Sequence, residues 1–205
     1  EYDSEAGDEE DEEDEEDAEA GLVVIVAIAE LLPALANYMG AEFAQHFTPH
    51  FNALMKRTGE NHTETERSLC YATLVEVVRA VGAPAAMCAP VALPGCLRDT
   101  KSVDIGLRRN SAYCTGVLLM IGGEHAQQFH SVAAEALAPM TRAENESDGG
   151  VRDNAAGAIA RLLLVIGSEH EDASKALLGV LLDALPLRHD LEEGPEVYHG
   201  LAATV

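Results

Sequence analysis

A helix-sized segment recurs along this chain every 42 to 44 residues, and this recurrence constrains the fold more than any other feature. The segments 66–82, 108–122 and 152–167 each begin with charged residues, continue through small residues into an aliphatic run and end at glycine. The apolar positions of 151–166 follow the 3.6-residue period of an α-helix, and no segment sustains the two-residue period of a strand. The chain is therefore predicted to be all-α.

Single polar residues recur in the same register. Ser68, Asn110 and Asn154 occupy equivalent positions, 42 and 44 residues apart, and Tyr71 and Tyr113 are also 42 residues apart. Agreement between the period and the local pattern indicates a true repeat of one structural unit.

Glycines mark where the recurring helices are expected to end. Gly40, Gly82, Gly122 and Gly167 each follow an aliphatic run. A glycine directly after a helix adopts the left-handed conformation without a Cβ penalty, so each is predicted to terminate a helix.

Each repeat is predicted to contain an A helix followed by a B helix. The A helices are predicted at 46–58, 84–98, 125–143 and 171–185. The B helices are predicted at 19–39, 63–81, 103–121, 148–166 and about 190–204. Antiparallel helix pairs that repeat about every 40–47 residues are typical of HEAT repeats. Residues 19–205 are therefore predicted to form about four to five HEAT repeats of a longer α-solenoid.

Acidic side chains are concentrated at the start of the chain. Residues 1–19 hold 14 of the 36 Asp and Glu residues and no basic residue, and the formal net charge is −23. Such a segment buries too little apolar surface to offset its ordering entropy, so residues 1–18 are predicted to be a disordered acidic loop. Since the first residue is not Met, we expect that the chain is a piece cut from a longer protein within this loop.

The net negative charge also limits the classes of partner that the chain can bind. A chain without a basic cluster cannot neutralise phosphates, so no direct nucleic-acid binding is predicted, and an anionic membrane would repel it. The longest uncharged apolar run, 22–29, is much shorter than the roughly 20 residues of a membrane span. Basic proteins or peptides are the expected partners of what we predict to be a monomer.

The sequence contains no recognisable catalytic motif. His46 and His50 are four residues apart and could share a metal ion, but no third ligand lies near them, so a solvated helix edge is predicted instead. The four cysteines lie in apolar stretches and are predicted to be buried and reduced (Cys70, Cys88, Cys96 and Cys114). We predict no enzyme activity, no metal site and no cofactor; a hydrolase is the least supported alternative.

Polar residues on the B helices are the candidates for function. A column of Ser68, Asn110 and Asn154 would hold the backbone of an extended peptide, since an amide both donates and accepts. Acids beside the column, such as Asp153, would pair with Lys or Arg of that peptide. The alternative is that these asparagines only tie adjacent inter-helix turns together, and the sequence leaves both open.

Two strings resemble a known family. V-R-D-N-A-A-G-A-I-A-R-L-L at 151–163 and A-L-P-L-R-H-D-L-E-E at 184–193 resemble the C-terminal half of the importin-beta (karyopherin-beta) superfamily, within it the importin-four branch. Segments 31–40 and 66–76 fit the same family in the same order. The resemblance covers nearly the whole chain.

The resemblance implies a nuclear transport receptor. Members of this family bind basic cargo in the cytoplasm, contact Phe-Gly nucleoporins in the nuclear pore and release cargo when Ran-GTP binds, so the chain is expected to shuttle between cytoplasm and nucleus. Importin-four relatives carry core histones and ribosomal proteins. Family Ran sites lie mainly in N-terminal repeats, so Ran binding is not expected of this segment itself. A generic HEAT scaffold that docks proteins without preference for lysine is the alternative function.

The resemblance also implies cargo contacts at named residues. The acid pair of the D-x-E-E motif corresponds to Glu192 and Glu193, which are predicted to clamp a lysine ammonium. Asn154 and Asn110 are predicted to hold the peptide backbone, and Tyr113 and Tyr71 to flank a lysine stem.

Overall fold

The computed structural model describes residues 5–142 and 148–203, and all regular structure in these residues is helical. The α-helices of this part of the chain are α1 (Glu5–Met39), α2 (Ala44–Arg57), α3 (Glu64–Val81), α4 (Ala89–Asp99), α5 (Ile105–Gly122), α6 (His130–Met140), α7 (Gly149–Ile166), α8 (Glu171–Ala184) and α9 (Gly194–Ala203). The predicted all-α class is confirmed.

The helices form two layers. The B helices α1, α3, α5, α7 and α9 lie side by side, because each packs against the next in this series. The A helices α2, α4, α6 and α8 cover them: α2, α4 and α6 each contact the B helix of their own repeat, and α8 contacts α7. This alternation confirms the predicted HEAT-like array, in which every repeat buries its apolar face against its neighbours.

Small residues allow the central B helices to approach closely. A Cβ added at Gly116 of α5 would lie 2.5 Å from the Cα of Ala158 on α7. The alanines of α7 around this point are fully buried, so the α5–α7 contact lies at the centre of the core. Close backbone approach of this kind needs the small side chains that recur in the B segments.

Three of the four predicted terminal glycines have a positive φ, at 57° for Gly40, 71° for Gly82 and 59° for Gly167. The ψ values of −142° for Gly82 and −159° for Gly167 differ from those of the left-handed helical conformation that was predicted. The prediction for Gly122 is wrong: α5 continues through it, and Gly123 has a φ of 50° instead. Gly122 serves close packing, because a Cβ there would lie 2.6 Å from the Cβ of Ala89.

At three of the predicted helix starts the structure has a 3-10 helix in place of an α-helix. Residues 83–88, 123–129 and 191–193 form 3-10 helices, so α4, α6 and α9 begin several residues later than predicted. Prolines explain two of these starts, since Pro90 and Pro195 lie in the first turns of α4 and α9, where a missing N–H is harmless. Positions 143 and 204, the predicted ends of two helices, lie outside the described residues.

The first helix is longer than predicted. α1 begins at Glu5, whereas the sequence predicts a disordered loop over 1–18 and a helix start at residue 19. Glu and Ala are favourable helix formers, so a helix nucleated by the apolar half of α1 can extend backward through the acidic residues. Residues 1–4 of the predicted loop lie outside the described residues.

The segment Val23–Arg57 is apolar over a greater length than the uncharged run 22–29 suggests. By length and composition alone this segment could cross a membrane, with a mean hydropathy of 1.8 in its most apolar window, of which 17% is buried. This criterion is weak, because core helices and signal sequences meet it too. The exposed apolar residues of this segment include Val23, Leu31 and Tyr38.

The four cysteines are buried and unpaired, as predicted. Burial raises the pKa of the Cys70 and Cys88 thiols to about 11 and also raises that of Cys96. The thiols are therefore protonated at neutral pH and behave as small apolar side chains.

Candidate functional site: a charged cleft across the B helices

A cleft of about 560 Å³ crosses the B-helix layer from α3 to α9, and we name it the B-layer cleft. Its polar lining residues are Glu76 and Arg79 of α3, Arg109, Asn110 and Tyr113 of α5, Asn154 and Arg161 of α7, and Asp190, Glu192, Glu193 and Glu196 around the start of α9. The cleft unites residues from four successive repeats because equivalent faces of successive B helices lie side by side.

Acidic groups exceed basic groups in the cleft. Five carboxylates face three guanidinium groups, so the cleft as a whole favours cations. Three of the carboxylates already have arginine partners. Asp190 lies 2.6 Å from Arg109, Glu76 lies 3.4 Å from Arg79, and Glu193 pairs with Arg161.

The Glu193–Arg161 pair is the most buried of these. Arg161 Nη1 donates to Glu193 Oε2 at 2.5 Å and Nη2 donates to Oε1 at 3.2 Å. Glu193 is 4% exposed and Arg161 is 2% exposed. Burial raises the pKa of the Glu193 carboxyl above its ordinary value, although the Arg161 guanidinium acts in the opposite direction. Glu193 was predicted to clamp a cargo lysine, but the protein's own arginine occupies both of its oxygens.

Tyr113 lies between arginines. The guanidinium carbons of Arg79 and Arg161 lie 5.9 Å and 5.3 Å from the centroid of its ring, within the range of cation–π attraction. Its hydroxyl accepts a hydrogen bond from Arg79 Nη1 at 2.6 Å. Tyr113 lies in the cleft, as expected of a peptide contact, but two cations already stack on the ring that was predicted to flank a lysine stem.

The asparagines of the column hydrogen-bond to neighbouring helical segments, which is the alternative role predicted for them. Asn110 Nδ2 donates to Ser68 Oγ at 2.9 Å, which joins α5 to α3. Asn154 Nδ2 donates to Asp190 Oδ2 at 2.8 Å, which joins α7 to the turn before α9. Ser68 does not line the cleft, whereas both asparagines do.

Each asparagine has one side-chain group, its Oδ1 oxygen, that could accept a hydrogen bond from a ligand. Both amide hydrogens of each residue have acceptors, because Asn110 also reaches the Ser68 carbonyl and Asn154 the Gly150 carbonyl. No donor to the Oδ1 of either residue is found within the described part of the chain. A peptide N–H could donate there, so tying the helices and holding a peptide are compatible roles.

Asp153 is placed differently from its prediction as a cargo contact. It is 0% exposed, and its Oδ2 accepts from the backbone N–H groups of Arg188, His189 and Asp190 at 2.9, 2.6 and 2.9 Å. This carboxylate therefore shapes the turn before α9 and cannot meet a peptide in the cleft. It acts on the site indirectly, since the same turn carries Asp190.

Tyr71 also departs from its prediction. It is 0% exposed and donates its hydroxyl hydrogen to Asp99 Oδ2 at 2.9 Å, on the side of the A helices. Gly95 of α4 makes room for it, because a Cβ there would lie 2.8 Å from the Tyr71 hydroxyl. The register shared with Tyr113 is real, but Tyr71 points into the core and does not line the cleft.

Six polar residues of the cleft were not predicted from the sequence: Glu76, Arg79, Arg109, Arg161, Asp190 and Glu196. Arg161 lies seven residues after Asn154, and Arg79 eleven after Ser68. Both intervals are near multiples of 3.6 and keep a side chain on the same face of a helix. Extending the predicted column along each B helix would have found these two arginines.

Among the side chains that the structure describes (residues 21, 23–142, 148–167 and 170–203), no group of three or more His, Cys, Asp or Glu could hold a metal ion. His46 and His50 are exposed on α2, as predicted for a solvated helix edge.

Comparison with known proteins identifies relatives over most of the chain. The chain is 35% identical to importin-4 of Homo sapiens over 165 residues, which are 80% of the chain. It is 32% identical to importin-4 of Mus musculus over 171 residues, which are 83% of the chain. The chain spans about 15% of the length of either relative. No family model matches the sequence. The two matches confirm the relationship that the motifs at 151–163 and 184–193 predict.

Proposed function

We propose that this chain, which is related to the importin-beta family, is the cargo-binding part of a nuclear import receptor and binds lysine-rich segments of basic proteins in the B-layer cleft. The observation that carries the proposal is the cleft itself, which combines an excess of carboxylates with asparagine acceptors on successive B helices. An extended basic peptide supplies ammonium groups and backbone N–H groups with the matching chemistry.

Cargo identity belongs to the same proposal. Core histones and ribosomal proteins carry lysine-rich extended segments, and the resemblance to importin-four relatives favours them. For the full-length receptor we propose Ran-GTP and Phe-Gly nucleoporins as further partners, and shuttling between cytoplasm and nucleus. These follow from kinship with importin-4 and do not require a catalytic group in the cleft.

Binding to matched peptides tests the proposal. A histone-tail peptide and a version in which every lysine is alanine are titrated into the chain by calorimetry. We expect the alanine version to bind at least about tenfold more weakly, equivalent to about 1.4 kcal/mol, because each lysine loses charge-assisted contacts in the cleft. Equal affinity for the two peptides would contradict the proposal and favour a generic HEAT scaffold.

A further inference from the structure

One ion pair of the B-layer cleft joins segments that lie two repeats apart. Arg109 lies on α5, and its Nη2 donates to Oδ2 of Asp190, in the turn before α9, at 2.6 Å. The two residues are 81 apart in the chain, whereas the other ion pairs among the described side chains span 40 residues or fewer. The pair therefore passes over α7, which lies between α5 and α9 in the B layer.

The path of Arg109 across α7 depends on a glycine. Gly150 is the second residue of α7, and a Cβ built there would lie 3.4 Å from Cδ and 3.5 Å from Nε of Arg109. The arginine side chain therefore lies directly over this glycine. A larger residue at position 150 would compete for the space through which the guanidinium reaches Asp190.

The two ends of the pair differ in how firmly they are held. The N–H of Asp190 donates to Asp153 Oδ2 at 2.9 Å, and its Oδ2 also accepts from Asn154 Nδ2 at 2.8 Å, so α7 fixes its position. The Asp190 side chain is 12% exposed, whereas that of Arg109 is 50% exposed. Exposed ion pairs are weak and are screened by salt, so the arginine can leave and return while the chain stays folded.

A contact between repeats two apart constrains the shape of the array. The curvature of a repeat array is the sum of small rotations between neighbouring units. Since α5 packs on α7 and α7 packs on α9, each of these interfaces can adjust separately. The Arg109–Asp190 pair couples the two adjustments, because it can form only at one combined angle. Both residues line the B-layer cleft, so the same angle determines how far the cleft is open.

We propose that the Arg109–Asp190 pair is a strap across α7 that holds the B-layer cleft closed and lets it open when the pair is screened or broken. Gly150 gives the strap its path, and α7 holds the aspartate end in place. The strap is a conformational device of the chain itself. It does not depend on which ligand the cleft binds, so it can be tested on the chain alone.

Double electron–electron resonance between two spin labels tests the strap. The labels are attached through Val103→Cys, before α5, and Tyr198→Cys, on α9, which are 91% and 66% exposed and lie outside the cleft. The native cysteines are buried, so the labels react at the introduced thiols. The test variant is Arg109→Gln in this labelled chain. Lys175→Gln is the matched control, since it breaks an exposed ion pair of the same 2.6 Å length that lies within α8.

At 0.1 M salt, Arg109→Gln should show a longer mean distance and a wider distance distribution than the labelled chain, because the strap cannot form. At 1 M salt, where the screening length is about 3 Å, the labelled chain should reach the distance of the variant. General screening has the opposite sign, since it weakens the self-repulsion of a chain with a net charge of −23 and favours a more compact array. Lengthening with salt therefore reports release of the strap, and Arg109→Gln should not show it.

Three results would overturn the strap. The first is an equal distance distribution for the labelled chain and Arg109→Gln at 0.1 M salt. The second is a distance in the labelled chain that shortens or stays the same between 0.1 M and 1 M salt. The third is a lengthening in Lys175→Gln as large as that in Arg109→Gln. Peptide affinity does not enter these measurements, so failure of the strap would leave the proposed cargo binding untouched.

Discussion

The absence of a side chain at position 157 makes room for the ion pair at the base of the cleft. Gly157 lies on α7, one turn before Arg161, and a Cβ built there would lie 1.6 Å from Glu193 Oε2 and 2.6 Å from Glu193 Cδ. The carboxylate therefore occupies the space that any other residue at this position would need. Tyr113 is the equivalent residue of the preceding repeat. The same position therefore holds a cleft-lining ring in one repeat and leaves space for a carboxylate in the next.

Substitution of this glycine should destabilise the whole chain. Gly157→Ala forces the Glu193 carboxylate away from Arg161 and leaves a buried guanidinium without its partner. We expect the free energy of unfolding to fall by about 3–5 kcal/mol, as for other broken buried pairs. Urea unfolding followed by far-ultraviolet circular dichroism measures the change.

Gly179→Ala provides the matched control for that experiment. Gly179 lies inside α8, and nothing lies within 4 Å of a Cβ built there. Alanine in a helix interior is favoured over glycine by about 0.5–1 kcal/mol, so this variant should be slightly more stable than the unaltered chain. Equal effects of the two substitutions would show that the Gly157 gap has no role.

At the scale of helices, α3 has the best defined start. Thr63 Oγ1 accepts a hydrogen bond from the Glu66 N–H at 3.2 Å, and the Glu66 carboxylate accepts from the Thr63 N–H at 3.1 Å. This capping box satisfies two backbone donors at the helix start. Because α3 supplies Glu76 and Arg79 to the cleft, the cap also defines one wall of the site.

Removal of the cap should cost about 1 kcal/mol. Thr63→Ala deletes the acceptor of the Glu66 N–H, and N-cap substitutions of this kind destabilise proteins by about 0.5–2 kcal/mol. The melting temperature and the urea midpoint report the loss. The control is Thr65→Ala, an exposed position in the first turn of the same helix, where alanine is the better helix former. A loss as large in Thr65→Ala would mean that the cap does not carry the effect.

Helix ends show the limit of inference from local sequence. The sequence correctly predicts that a glycine ends α5, but Gly122 and Gly123 are adjacent and either could be that residue. The choice of Gly123 depends on Ala89 and Ala126, which pack so closely that only glycine fits at 122. Similarly, the start of α4 depends on a 3-10 turn that apolar periodicity alone does not reveal.

At the scale of the whole molecule, the uneven charge distribution should govern the rate of encounter with cargo. Of the formal net charge of −23, −14 lies in the first 19 residues. Long-range attraction between opposite charges accelerates association and is screened by salt over about 10 Å at 0.1 M. The acidic segment is therefore predicted to raise the association rate of basic cargo.

Deletion of residues 1–17 tests this steering. Stopped-flow mixing with the histone-tail peptide of the calorimetric test should show a several-fold slower association at low salt, and the difference from the full chain should vanish at high salt. The version of this peptide with alanine at every lysine serves as the control, because its lower positive charge should reduce the difference in association rate between the two chains. A rate that does not respond to salt would remove the steering role.

Much of the fold follows from the sequence alone. The 3.6-residue apolar period and the recurrence at 42 to 44 residues predict the helices, their pairing into repeats and the buried cysteines. These features depend on residues near one another in the chain and on a repeat copied from unit to unit, so they survive without knowledge of distant contacts. The same reasoning placed Asn110, Asn154 and Tyr113 on the face that forms the cleft, whereas Glu192 came from the family resemblance.

Only the tertiary structure decided which of these side chains remain available to a ligand. Glu193 and Arg161 are 32 residues apart in the chain, and Tyr71 and Asp99 are 28 apart, yet these contacts remove Glu193 and Tyr71 from the candidate ligand contacts. Asp153 is likewise committed to backbone groups 35 to 37 residues away. A periodic pattern determines the face of a helix on which a residue lies. Its partner, however, depends on the space and charge that another helix brings to that face, and this is set by packing.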